Sequence, residues 1–305
     1  MSAFVDERRA DFGVEPICST LGVSASAYYH RKSGQRSPRV VEDERLLPMI
    51  RLVAAENYDA YGYRRTWKQL RRQGELGPRC QVQRLMRDAG IQGAKRRGRP
   101  WRTTIAGADA RSRPDLLERD FTADRPNQRW VADFTYIRCW EGMVFFAFIL
   151  DVHSRFLVGW QFAGHMRDTL VIDALEMAVG QRHPDPSLDL VHHSDRGSQP
   201  GSEDFADALQ AHTILASVGS TGDADDNSMA ESFLDTFKTE LIADRVWRTP
   251  TQLEFAIIEW VGWYNQRRLH SALGDVPPAE YELEHALQLP AAVFRGSRSD
   301  GPAGR

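Results

Sequence analysis

The rhythm of apolar and polar positions changes near Trp130, and the change divides the chain in two. Before it, apolar residues recur at helical spacing. In the leader, VEPICSTLGVSASAYYH, Gly22 closes one short apolar turn and Ser24 can cap the next. Residues 1–40 therefore read either as a miniature helix-turn-helix or as a plain docking segment. Residues 41–96 carry three more helical patterns. The first holds Leu46, Leu47, Ile50, Leu52 and Val53, with Pro48 expected to start it or kink it. The second is RRTWKQLRRQG. The third, QVQRLMRDAG, has Pro78 near its first turn and Gly90 just past its end. Residues 97–120 are punctuated by Gly and Pro and have no period, as in a linker.

After Trp130 the runs WVADFTYIRCW, MVFFAFILDVHS and RFLVGWQFA are rich in aromatic and β-branched residues. Short polar breaks separate them, which predicts three adjacent antiparallel strands. TLVIDALEMAV follows as a helix with Leu170, Val171, Ala174, Leu175 and Ala178 on one face. LDLVHHSD and TILASV read as two more strands, and EDFADALQAH and SMAESFLDTFKTEL as helices. Strands first, then alternating β and α, predict an α/β core over 121–290: a mixed five-stranded sheet flanked by helices. The small all-α unit precedes it, and a disordered tail is expected over 291–305.

Charge sharpens this division. The net charge is only -3, but residues 1–119 hold 24 Lys+Arg against 14 Asp+Glu, a net of +10, which leaves -13 for the rest. Within 60–104 there are 13 Lys+Arg and two acids, the density expected of a module that contacts phosphates without regard to sequence. Arg64, Arg65, Lys68, Arg79, Arg84, Arg87, Arg96, Arg97 and Arg99 are its candidate DNA contacts. No apolar run approaches the roughly 20 residues that span a bilayer, and the N-terminus lacks a secretory h-region. A cytoplasmic setting is expected. Cys18, Cys80 and Cys139 form no paired motif and read as ordinary buried thiols.

Three acids stand out in the acidic half. Asp133 interrupts the first strand, where an unpaired buried carboxylate is unfavourable unless it is hydrogen-bonded or binds metal. Asp195 ends the fourth strand, where the chain leaves the sheet and ligands commonly bind. Glu231 lies on a helix whose apolar stripe, Ala230, Phe233, Leu234, Phe237 and Leu241, can fix it against the sheet and aim the glutamate at the aspartates. Such oxygen donors suit a pair of Mg²⁺ or Mn²⁺ ions in phosphoryl transfer. Taken singly, each acid also has an ordinary reading as hydrogen-bond acceptor, turn former or solvated charge. Asp151 reads as a local acceptor, and His192 and His193 as packing residues.

Thirty-five residues separate Asp195 from Glu231, and the words WVADFTY, HHSDRGSQ and DDNSMAESF around the acids resemble the signature of integrase-like transposases. More narrowly, PICSTLGVSASAYY, YGYRR, VQRLMRDAGIQG and YNQRRLHSALGDVPPAEYE resemble the second-frame transposases of the large bacterial insertion-sequence group numbered three. The resemblance implies a ribonuclease-H-like core and metal-dependent cleavage and strand transfer at the ends of a mobile element. It makes Asp133, Asp195 and Glu231 the metal-binding acids and Lys238 a DNA contact two helical turns after Glu231. Asn227 either positions substrate or caps the helix. Arg267, Arg268 and His270 either touch phosphates or brace the glutamate-bearing helix. The implied partners are duplex DNA, as element end and target, further copies of the chain, and the product of an upstream frame. The chain departs from the pattern at Pro200 and Ser228. A metal nuclease that cuts without joining and a catalytically silent DNA-binding protein are the competing readings.

Overall fold

The computed structural model describes residues 2–34, 36–95, 115–117, 119–164, 168–195, 203–219, 227–243 and 245–288. It divides into two compact units, one of residues 1–56 and 61–93, the other of residues 57–60 and 94–305.

The first unit is all helical: α1 (Ser2–Phe12), α2 (Val14–Thr20), α3 (Ala25–Lys32), α4 (Pro38–Glu56), α5 (Tyr63–Arg72) and α6 (Arg79–Asp88). Gly22 takes a left-handed φ of 65° after α2, and the Ser24 hydroxyl accepts from the Ala27 amide to cap α3, the local pair expected from the leader. α4 starts at Pro38, ahead of the boundary expected at residues 40 and 41, and continues through Pro48. That proline does not start the helix, the first of its two expected roles. Leu46, Ile50 and Val53 bury its inner face. Pro78 is the N-cap of α6, and Gly90 follows it with φ 70°. The Trp67 indole donates to the Gly77 carbonyl at 3.0 Å, fastening the α5–α6 turn.

The second unit begins its sheet with β1 (Arg129–Cys139), β2 (Gly142–Asp151) and β3 (Leu157–Ala163), an antiparallel meander. After α7 (Asp168–Arg182) the chain adds β4 (Val191–Ser194), α8 (Glu203–Ala211) and β5 (Leu215–Val218), whose strands run parallel to β1. The spatial order is β3-β2-β1-β4-β5, the mixed five-stranded sheet read from the sequence. α9 (Ser228–Phe237) passes into a π turn over Lys238–Ile242, and α10 (Pro250–Gln266) and α11 (Pro278–Gln288) complete the unit.

Strand alternation sorts the two sheet faces. Trp130, Ala147 and Ile149 face a core shared with Leu170, Ala174, Leu175 and Ala178 of α7 and with Phe205 and Leu209 of α8. On the opposite face Phe148 meets Phe233 with ring centroids 4.4 Å apart, and Phe146 meets Phe237 at 4.8 Å. Trp260 of α10 packs its ring edge-to-face on both phenylalanines of α9. Each such ring pair adds about 0.5–1.5 kcal/mol beyond the area it buries.

Asp151 ends β2 fully buried and accepts backbone amides from Asn127, His153 and Ser154, so it is the local acceptor expected. Cys18 and Cys139 are buried, whereas Cys80 is exposed on the polar side of α6. Among the described residues no helix is long and apolar enough to cross a membrane. The tail from residue 291 and most of the expected linker lie outside the described residues.

β3 passes so close to α7 that a β-carbon on Gly159 would sit 2.2 Å from the Ala174 carbonyl oxygen and 2.8 Å from the Ala178 methyl. Gly159→Ala should therefore cost about 1–3 kcal/mol and lower the thermal midpoint. In Gly180→Ala, at a position in the same helix with open space around it, stability should hold or rise. Equal midpoints for the two variants would contradict this packing.

Candidate active site

The register of the sheet brings the two aspartates together. Ala132 of β1 pairs with Ser194 of β4, so the next residues on these parallel neighbours are Asp133 and Asp195. Successive side chains alternate faces, and Asp133 shares the face of its partner Phe148, against which α9 packs. α9 buries Ala230, Phe233, Leu234 and Phe237, the stripe read from the sequence, and leaves Glu231 exposed in its first turn.

Asn227 occupies the N-cap position of α9 but makes no capping bond. Its buried amide instead donates to the carbonyl of Ala132 at 3.1 Å, pinning the start of α9 to β1 one residue before Asp133. This corrects the capping alternative.

Burial of the Asp133 carboxyl, together with the negative charges of Asp195 and Glu231, pushes its pKa up to about 8, against opposing help from the Phe134 amide and Lys238. Lys238 is half-buried, and desolvation lowers its pKa although Asp133 and Asp235 favour its charge. It is thus no freely solvated surface lysine. A buried carboxylate whose pKa is raised by neighbouring acids suits a hard cation, whose charge would offset the repulsion. Among the described residues no three such side chains are drawn into one ready cage. Residues 196–202 and 220–226, beside Asp195 and ahead of Asn227, lie outside the described part, Pro200 among them.

His192 is buried with its ring edge against Phe205, and desolvation lowers its pKa to about 3. The buried His193 sets Nδ1 2.8 Å from the Ser217 hydroxyl. Both are packing residues, as expected.

These geometries agree with what the chain is similar to. Residues 123–224 and 212–278 match integrase core domain families, and residues 42–99 match an HTH-like domain. The chain is 43% identical over 294 residues to the transposase for insertion sequence element IS629 of Shigella sonnei, a match covering 95% of this chain and 98% of that one. The chain belongs to the insertion-sequence transposases. The putative IS986/IS6110 transposase of Mycobacterium tuberculosis is 40% identical over 88% of this chain and 98% of its own. The IS904 transposase of Lactococcus lactis is 34% identical over 83% and 98%. The transposase is accordingly a polynucleotidyl transferase acting in DNA integration, and its integrase core implies use of a divalent metal ion.

Several expected DNA contacts of the transposase point elsewhere. Arg84 holds Asp43 with Nη2 at 2.6 and 2.7 Å from the two carboxylate oxygens, joining α6 to α4. Arg268 is buried and grips Glu240 at 2.7 and 2.8 Å, and His270 is buried against the ring of Tyr264. Both side chains are buried, Arg268 against the π turn that follows the glutamate-bearing helix and His270 against α10. Arg64, Arg79, Arg87 and Arg267 are exposed, while Arg65 and Lys68 lie half-buried beside the rings of Tyr61 and Trp67. Arg96, Arg97 and Arg99 lie outside the described residues.

The raised pKa of Asp133 sets a pH dependence. Between about 4 and about 8 the folded chain keeps a proton that the unfolded chain releases, so this residue's contribution to stability falls as pH rises. In metal-free buffer, Asp133→Asn should gain in thermal midpoint over the parent, by an amount that grows from about pH 4 to about pH 8. A difference that stays constant across that range would refute the shift.

Proposed function

We propose that Asp133, Asp195 and Glu231 are the catalytic acids and that they bind two Mg²⁺ or Mn²⁺ ions for cleavage and strand transfer at the ends of an insertion sequence. What supports this most directly is the register of β1 against β4, which makes Asp133 and Asp195 neighbours on the α9 face. Bound cations would supply activation of the attacking oxygen and stabilisation of the leaving one. The carboxylates position and neutralise, Asn227 keeps α9 at the strand, and Lys238 offers a positive charge to a DNA phosphate beside the acids. In the cleavage step water bonds to phosphorus as the P–O3′ bond breaks, freeing a 3′ hydroxyl. In the joining step that hydroxyl bonds to a target phosphorus and a target 3′ oxygen leaves.

The exposed Arg64, Arg79 and Arg87, with Arg65 and Lys68, are the proposed DNA contacts of the HTH-like domain, and Arg267 that of the core. Arg96, Arg97 and Arg99 extend the same basic run. The reading further includes a homo-oligomer on duplex DNA, an upstream-frame product as partner, and a cytoplasmic setting.

Asp133→Asn, Asp195→Asn and Glu231→Gln should each abolish joining of a pre-cleaved element end while retaining end binding. Joining within tenfold of the parent rate, with Mg²⁺ or Mn²⁺ present, would remove that residue from the set. Chelation should stop the parent, and either ion should restore it. For the basic module, Arg64→Ala, Arg79→Ala and Arg87→Ala should each flatten the plot of log affinity against log salt by about 0.9 for one lost phosphate contact. Unchanged slopes would return these arginines to the solvated surface.

A further inference from the structure

The segment from Trp263 to His270 ties together distant parts of the core. The Trp263 indole donates to the Asn57 side chain at 3.0 Å. The Asn265 amide accepts from the Leu157 backbone amide at 2.9 Å and donates to its carbonyl at 3.1 Å, so a side chain stands in for a strand neighbour on β3. Arg268 then crosses to Glu240 with a two-point contact, both side chains being no more than 6% exposed. The same guanidinium lies over the Tyr264 ring and 3.3 Å from the His270 imidazole, and the His270 backbone is itself held by Val276.

Glu240 sits in the π turn, two residues after Lys238. The turn closes with a bond from the Ala243 amide to the Lys238 carbonyl at 2.8 Å. A π turn is a rare, locally unfavourable winding and persists where surroundings enforce it. A buried ion pair is a poor choice for stability alone, since apolar side chains of similar volume often serve as well. Its two-point geometry fixes orientation, which apolar side chains do not.

We infer that the Arg268–Glu240 pair is a positioning device. It holds the π turn in the winding that keeps the Lys238 ammonium within electrostatic reach of Asp133, and so aligns the DNA end with the acids. Arg268 and Glu240 touch no DNA. They act through Lys238, and the inference rests on the reading of Lys238 as a DNA contact.

The test is a cycle of three variants of the full chain: Glu240→Leu/Arg268→Met, Lys238→Ala, and the combination. Removing both charges together leaves neither buried charge facing the other's empty place, so the thermal midpoint and end binding of the first variant should stay near the parent values. Its single-turnover joining rate should fall by roughly tenfold or more, because small displacements at the reacting atoms are costly. In the Lys238→Ala background the same replacement should cost less than about twofold, the non-additivity expected of residues that act as a unit. The same fold loss in both backgrounds, or no loss in the parent, would overturn the inference. Should the double replacement fail to fold, Arg268→Lys, which keeps the charge but not the two-point contact, takes its place in the cycle under the same criteria. A parent-like rate for Lys238→Ala alone would defeat the reading of the lysine and the brace together. A slow Lys238→Ala with additive losses would defeat only the brace.

Discussion

The stack of Phe233 and Phe237 on Phe146 and Phe148 is the interaction on which the rest of the site depends. Asp133 feels the negative charges of Asp195 and Glu231, and nothing in the chemistry of these acids draws them together. The attraction lies behind them, in rings that dock α9 on the sheet, with Trp260 closing the stack from the far side. Asn227 sets where along β1 the docked helix begins. That docking holds Asp133 in surroundings that disfavour its charge, a cost that a nearby cation would offset.

Much of this was legible in the sequence because it is periodic. The five strands, the helices between them and the buried stripe of α9 follow from alternation and helical spacing, since one face of each element must be apolar. Asp133 stands out as a charge inside an apolar strand, and Asp195 as the acid at which the fourth strand ends. The pairing of Arg268 with Glu240 and of Arg84 with Asp43 was not legible, because each joins residues 28 and 41 positions apart that look like ordinary surface charges. An arginine's destination depends on which acid the fold brings within reach, and periodicity says nothing of that. Of the two roles expected of Pro48, starting α4 is excluded: the helix runs through it, and packing of Leu46, Ile50 and Val53 on either side outweighs one missing hydrogen bond.

The basic part of the chain coincides only partly with the helical unit, because residues 94–119 belong to the second. In the helical unit Arg64, Arg79 and Arg87 are exposed, while Arg45 ties α4 to the α5–α6 turn and Arg84 ties α6 to α4. A count of charges therefore overstates what DNA would meet, and the exposed subset is the better measure of its footprint.

The strand order has a consequence for how the molecule comes into being. The β1–β2–β3 meander joins segments that are neighbours in the chain, whereas Ala132 finds Ser194 only after 62 intervening steps of sequence that include all of α7. Contacts of long sequence separation bear a larger loop-closure entropy and form late. The approach of Asp133 to Asp195, which follows from that register, belongs to the late class. A nascent chain emerging from the ribosome thus has its hydrophobic meander first, and Asp133 and Asp195 come side by side only with the closing of the parallel half of the sheet.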